Sequence, residues 1–344
     1  MKQPKRATIY DIAKKLNLNP SSVSRALNHS KNISTATREL ILKTAEELNY
    51  KANSMASNLR KGHNRTIGVV VPRINQNFFA NVIAGIEEIT YQQGYNLIIC
   101  QSNELAAREI KCINTLVNQD VSCIIISVSA DFESDDHLKN IKEQGISLIQ
   151  FDRVADELDT FKVTNDNESA SREAVEHLIA EGYKRIALLE GPQNLNIFRQ
   201  RKAGYLKALR KNGMPVIPEL IVENAWTKDL GAIATRKLLG LPNPPDAIFA
   251  STSDFAALGV LEVANEMNIS VPRDLGICGY SNESFTEITT PMLTTIDQHS
   301  TLMGKTIAQL YFQELGSVTN GRKDKVVNIQ PELIIRKSTL KSKI

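Results

Sequence analysis

Between residues 65 and 344 a strand-then-helix pattern occurs twice, and this duplication limits the fold more than any other feature of the chain. Arg65 to Pro72 is an almost unbroken apolar run, followed by an amphipathic stretch carrying Ala84-Gly85 and closed by Gly94, nine residues after Gly85. Lys184 to Pro192 repeats the run, Ala203-Gly204 the helix interior and Gly213 the stop, again nine residues on. Further apolar runs follow in each half: Leu97 to Cys100, Cys123 to Ile126 and Ser147 to Phe151 in the first, Ala247 to Ala250 and Gly276 to Tyr280 in the second. Runs without polar alternation belong to strands buried on both faces, so they predict parallel sheets wrapped by helices. Two such α/β lobes in tandem place a ligand cleft between them, because ligands of parallel sheets bind beyond the carboxyl ends of the strands.

The chain ahead of this body has a different character. The first 65 residues hold 13 Lys and Arg against four Asp and Glu, whereas the remainder holds 28 against 34. The net charge of +3 therefore joins a basic head of +9 to an acidic body of −6. Thr8-Ile9-Tyr10-Asp11 reads as a capped helix start, and Ile9, Ile12, Ala13 and Leu16 mark its apolar face. Asn19-Pro20 opens a second helix, reaching about Asn28, that buries Val23, Ala26 and Leu27 and shows Ser21, Ser22, Ser24 and Arg25. Ser34 opens a third, with Leu40, Ile41, Ala45 and Leu48 inward. Two short helices joined by a tight turn and locked by a third form a helix-turn-helix, and the basic charge suits a DNA partner. Ala52 to Arg60 is a small-residue segment. It can order on DNA and wedge Leu59 between base steps in the minor groove, or serve as a flexible linker.

Thr8 to Ala13, Ser22 to Asn28, Thr37-Arg38 through Leu48-Asn49-Tyr50, and Ala56 with Leu59 resemble the LacI/GalR family of bacterial transcription regulators. The resemblance extends to Arg65 through Pro72 and to Pro291 through Ile296. Asn17 stands where a turn glycine is usual, a place asparagine tolerates because it visits left-handed conformations. The family implies an all-α helix-turn-helix head (1–50), a hinge segment (51–64) and a two-lobed α/β core of the periplasmic-binding-protein type (65–340) with parallel sheets. Its lobes exchange their final segments, with lobe 1 expected at about 65–162 plus 293–325 and lobe 2 at about 163–290 plus 326–340.

Enzyme signatures fail on their spacing. Gly279-Tyr280-Ser281 begins like a nucleophile elbow, but Glu283 stands where the second glycine is required. Gly304-Lys305-Thr306 ends like a phosphate loop, but His299 stands five positions before Gly304 where glycine is needed. The five histidines have no metal-ligand spacing, and the four cysteines form no CxxC pair; buried thiols in a reducing compartment are expected, with no cofactor and no metal. No apolar run approaches the length of a membrane span, no signal peptide is apparent and no leucine heptads end the chain, so the reading is a cytoplasmic protein without a tetramerisation coil.

The expected function is a sequence-specific repressor that binds a palindromic operator as a homodimer and is switched by a sugar or sugar-derived effector. A regulator controlled by a protein partner, with a degenerate cleft, is the alternative. Induction and co-repression use the same parts. The DNA-contacting candidates are Thr8, Tyr10, Asn19, Pro20, Ser21, Ser24, Arg25, Asn28, Ala56 and Leu59, with Arg25 and Ser21 at base edges. Those for the effector are Asn75, Phe78, Phe79, Asp152, Arg153, Phe198, Arg201, Trp226, Asp254 and Ser281, drawn from turns that follow strands. By family similarity Arg201 clamps the effector and Trp226 stacks on it; Trp226 also reads as a core aromatic, and Asp254 as the cap of the helix it precedes. Arg153 and Arg201, with Arg199 near and Ser281-Asn282 where many sugar-responsive relatives carry acids, also admit an anionic effector.

Overall fold

The computed structural model describes residues 7–27, 33–50, 64–316 and 325–341. The chain divides into two compact units, one ending at Asn64 and one beginning at Arg65.

In the first unit, α1 (Ile9–Leu16), α2 (Pro20–Leu27) and α3 (Thr35–Glu47) enclose Ile12, Ala13, Val23, Ala26, Ile41 and Ala45. Local chemistry sets each helix end. Asp11 accepts from Thr8 N at 2.8 Å, Asn17 closes α1 at φ 50°, Asn19 Oδ1 accepts from Ser21 N at 3.3 Å, and Ser34 Oγ accepts from Thr37 N at 3.2 Å. Leu40, expected inward, is 52% exposed, because Ile41 takes the inward position at the start of that turn.

The second unit contains two parallel sheets. The first has the order β11-β5-β4-β3-β1-β2, formed by β1 (Thr66–Val71), β2 (Asn96–Gln101), β3 (Cys123–Ile126), β4 (Ser147–Phe151), β5 (Phe161–Asn165) and β11 (Val326–Ile329). Alternate residues of β1 serve different cores. Ile67, Val69 and Val71 pack with α4 (Asn77–Gln92) and α11 (Ser300–Gly316), while Val70 joins Ile113 and Leu116 of α5 (Ala106–Asn118) and Leu138 and Ile141 of α6 (Asp136–Glu143). The second sheet has the order β7-β6-β8-β9: β6 (Ile186–Leu189), β7 (Ile221–Val222), β8 (Ala247–Ala250) and β9 (Gly276–Cys278). Around it lie α7 (Asn167–Ala180), α8 (Asn196–Lys211), α9 (Lys228–Leu239) and α10 (Asp254–Glu266). A two-stranded antiparallel ribbon, β10 (Thr295–Asp297) with β12 (Glu332–Ile334), flanks this lobe.

The repeated glycines have a packing reason. Gly85 in α4 and Gly304 in α11 face one another: a Cβ on Gly85 would lie 2.3 Å from Thr301 O, and one on Gly304 would lie 2.1 Å from Val82 O. Gly204 of α8 meets Glu168 O of α7 in the same way, while Gly94 and Gly213 take φ of +70° and +64° where their helices stop.

The lobes exchange segments at points that differ from the expected ones. The cut expected at 162/163 runs through β5, which belongs wholly to the first sheet. Val326–Ile329 pairs in parallel with Lys162–Asn165 and so belongs to lobe 1, not lobe 2. Leu293 and Ile296 bury in the cores of lobe 2, so the first lobe's returning segment begins after β10 rather than at 293. All three shifts come from pairing: β5, β10 and β11 are short and mixed in polarity, and only their neighbours decide which sheet they complete.

Candidate functional site

In the head, Tyr10, Asn19, Ser21 and Arg25 are exposed, as is Thr8, whose hydroxyl donates to Asp11 at 2.7 Å. Ser21 and Arg25 stand one turn apart on α2 and share a face. Pro20 forms the first residue of that helix and is partly exposed. Ser24 is 6% exposed, so it does not share the exposed face of α2 with Ser21 and Arg25 as expected. Asn28, Ala56 and Leu59 lie outside the described residues.

Between the lobes of the second unit is a cavity of about 170 Å³. Lobe 1 contributes Phe78 and Phe79 at the start of α4, Asp152 and Arg153 after β4, Arg73 and Gln76 after β1, and Glu104 after β2. Lobe 2 contributes Ile197, Phe198 and Arg201 from α8, Trp226 and Thr227 ahead of α9, Thr252, Ser253 and Phe255 around the start of α10, and Ser281 and Glu283 after β9. Gln298 enters from the crossover between the lobes. All these turns follow carboxyl ends of strands or begin the helices behind them, where a parallel sheet exposes its loops.

Arg201 is fixed before any ligand arrives. Its Nε donates to Asn167 Oδ1 at 3.0 Å and its Nη1 to Ser251 O at 2.8 Å, and the guanidinium lies 3.5 Å from the ring centre of Tyr280. The Tyr280 hydroxyl donates to the same Asn167 oxygen at 2.9 Å, which locks the stack. Arg153 donates from Nη1 to Glu104 Oε2 at 2.7 Å, and its Nε, 4.0 Å from Asp152 Oδ2, has no hydrogen-bond partner among the described residues. Asp152 takes a left-handed φ of 56°, and its Oδ1 likewise has no partner. Burial pushes the Asp152 carboxyl above its ordinary range, opposed by Arg153 and Arg201. Glu283 is also pushed up by burial, while Asn77 Nδ2 from the opposite lobe donates to it at 2.5 Å. Three arginines and three carboxylates thus line the cavity, a balance of charge.

Two effector candidates lie elsewhere. Asn75 is exposed and does not line the cavity. Asp254 is fully buried: it accepts from Thr295 Oγ1 at 2.6 Å and from Glu283 N at 2.8 Å, and burial pushes it up to about 7. It does not cap α10 either, since Ser253 Oγ accepts from Ala256 N at 3.2 Å. Sequence reasoning missed Arg73, Glu104, Thr252, Glu283 and Gln298, although Glu104 follows the end of β2 and the strand-end rule points to it.

The lobes are joined beside the cavity by the start of α8. Asn196 Nδ2 donates to Asp152 O at 3.0 Å and its Oδ1 accepts from Val154 N at 3.1 Å. Asn194 Nδ2 donates to Ala130 O at 2.8 Å and to Phe132 O at 3.1 Å. Leu195, Ile197 and Phe198 bury in an apolar core of lobe 1.

Residues 8–53 match the model for bacterial regulatory proteins of the lacI family, and residues 175–339 match that for a periplasmic binding protein-like domain. The HTH-type transcriptional repressor CytR of Escherichia coli K12 is 33% identical over 341 residues, 98% of each chain. The chain belongs to the lacI family of bacterial regulatory proteins. Catabolite control protein A of Priestia megaterium is 33% identical over 292 residues, covering 85% of this chain and 87% of that one. Among solved structures, the Lac repressor dimer bound to operator and the anti-inducer ONPF superposes with a TM-score of 0.84 at 27% identity, covering 98% of this chain and all of that one. A LacI family regulator from Enterococcus faecium with bound ribose gives 0.70 at 28% identity, covering 80% and 98%. This family member is a DNA-binding transcriptional repressor with a helical head and a parallel α/β core, not an enzyme. Among the described residues no helix is long and apolar enough to cross a membrane.

Proposed function

We propose that this repressor binds a palindromic operator as a homodimer in the cytoplasm and is switched by an uncharged, polyhydroxylated effector, a sugar or sugar derivative, held between its lobes. The observation that carries the effector reading is the pairing of two unsatisfied buried groups, Arg153 Nε and Asp152 Oδ1, in a cavity also lined by Trp226. One sugar hydroxyl accepts from the guanidinium, its neighbour donates to the carboxylate, and the indole face covers the ring. The ribose-bound Enterococcus faecium regulator and the cellobiose complex of the regulator CelR support this ligand class.

The balance of charge weighs against the anionic version of that effector. Arg201 is committed to two protein carbonyls and Asn167, and Arg153 to Glu104. Phe78, Phe79, Phe198 and Ser281 complete the wall around the ligand. For DNA, Arg25 supplies a forked donor that reads guanine in a major groove and Ser21 a short adaptable contact, while Tyr10, Asn19 and Thr8 surround them. Dimerisation has a physical motive in exposed apolar side chains on each lobe. Tyr91, Ile99 and Ile110 lie on or beside the edge strand β2, which has no partner on one side among the described residues, and Leu230 and Ile233 lie one turn apart on α9.

The test is selection of bound duplexes from a randomised pool, repeated with a panel of neutral and acidic sugars. A recovered palindrome whose yield changes with a neutral sugar is the expected result. A palindrome indifferent to every compound refutes the effector reading and moves a protein partner ahead.

A further inference from the structure

Glu104 lies on a turn held in an unusual conformation. Asn103 and Glu104 follow β2 with φ of 53° and 64°, two successive non-glycine residues in the left-handed region. That turn directs the Glu104 carboxylate into the wall of the cavity, where it is 8% exposed. Its Oε2 accepts from Arg153 Nη1 at 2.7 Å and from Ala130 N at 3.1 Å, and Oε1 lies 3.7 Å from Arg73 Nε.

We propose that Glu104 determines the charge specificity of the effector pocket, so that its pairing with Arg153 excludes anionic effectors and leaves the pocket suited to uncharged ones. The inference rests on the cavity being the effector site. A buried guanidinium next to a carboxylate has its charge compensated, and an incoming carboxylate or phosphate must then be desolvated beside Glu104, Asp152 and Glu283. Arg201 is held in place by neutral acceptors, its Nε donating to Asn167 and its Nη1 to the carbonyls of Ser251 and Thr252, so Glu104 acts on the charge of the pocket through Arg153 and Arg73. A hydroxyl meets no such obstacle: it accepts from Arg153 Nε, which has no hydrogen-bond partner among the described residues, without adding charge. The pairing also keeps Arg153 from drawing in anions while the pocket is empty.

Glu104→Gln is the informative substitution. The amide oxygen still accepts from Ala130 N and Arg153, so the turn is retained while the pocket gains one unit of positive charge. Trp226 is the sole tryptophan of the chain and lines the cavity, so its fluorescence reports the local potential without knowledge of the natural effector. The full-length wild type and E104Q are titrated with iodide, an anionic quencher, and with acrylamide, a neutral one. The same proteins are titrated calorimetrically with D-galactose, D-ribose and D-galacturonate.

At low ionic strength the iodide-to-acrylamide ratio of quenching constants is expected to rise about twofold or more in E104Q. Affinity for D-galacturonate relative to the neutral sugars is expected to rise about tenfold, a change of about 1.4 kcal/mol. Arg73→Gln, which removes a cation from the same wall, lowers the quenching ratio and tests the idea even where E104Q fails to fold. An unchanged ratio in both variants, or a folded E104Q with the wild-type preference between galacturonate and neutral sugars, overturns the proposal. If no sugar binds any of the proteins, the effector reading falls, while the quenching ratios still decide whether Glu104 sets the pocket's charge.

Discussion

The crossing of α4 and α11 makes a stability prediction that depends on two atoms. In Gly85→Ala the new methyl would lie 2.3 Å from Thr301 O, whereas ordinary contact begins at 3.4 Å, so the two helices must separate by about 1 Å. Val82, Ile86, Met303 and Ile307, which share the same core, lose contact as they part. Overpacking of this kind destabilises by about 1–3 kcal/mol, and alanine's better helix propensity returns up to about 1 kcal/mol. Taking the middle of each range, the net loss is about 1–2 kcal/mol, a fall in Tm of about 2–8 °C by the scaling for domains of this size. Gly304→Ala opens the same gap from the other side, its methyl meeting Val82 O at 2.1 Å. A separation that admits one methyl largely admits the other, so the double variant should lose clearly less than the sum of the singles. Thermal unfolding followed by circular dichroism on the wild type, both singles and the double measures this directly. An unchanged or raised Tm in the singles, or full additivity in the double, would refute the reasoning.

Four other outcomes follow from the same structure. Arg25→Ala should cost about 1–3 kcal/mol of operator binding and blunt sequence preference, so equal loss on operator and random duplex would contradict its assignment to a base edge. Trp226→Ala should weaken sugar binding by up to about tenfold, read by calorimetry, through loss of the ring face. Burial lifts Asp254 from 3.8 to about 7, so the native state holds a proton that the unfolded chain releases. Its contribution to stability is full below about pH 4 and is lost as pH rises through 7, a difference of a few kcal/mol. Asp254→Asn should flatten that part of the denaturant-midpoint profile between pH 4 and 8. Asn196→Ala removes both buried bonds between the lobes at Val154 N and Asp152 O, and should lower stability by about 1–3 kcal/mol in urea unfolding.

The strands that could be read from the sequence are those buried on both faces. Cys123–Ile126, Ser147–Phe151 and Ala247–Ala250 are apolar enough to declare themselves. Phe161-Lys162-Val163-Thr164-Asn165 and Val326-Val327-Asn328-Ile329 are not, because they pair with each other near the sheet edge and carry polar side chains there. Which lobe receives a crossover strand depends on a partner more than 150 residues away, and local pattern holds no record of it. At the site, Phe78, Phe79, Asp152, Arg153, Phe198, Arg201, Trp226 and Ser281 meet at one cavity because strand-end turns converge by topology. Ser24 and Asp254 show the limit of residue type as a guide. Each is polar and next to functional positions, yet each is buried, and Asp254 spends its carboxylate on Thr295 Oγ1 and Glu283 N. Glu104 shows the converse, a charge whose partner, Arg153, lies 49 residues away on the turn after another strand.

Occupancy of the cavity is proposed to change affinity for DNA. Operator affinity should be measured by fluorescence anisotropy at fixed salt, with and without a neutral sugar shown by calorimetry to bind. A change of about 5- to 150-fold is expected, with the reciprocal change in sugar affinity when operator is present. Tight sugar binding in the cavity with operator affinity unaltered would contradict it.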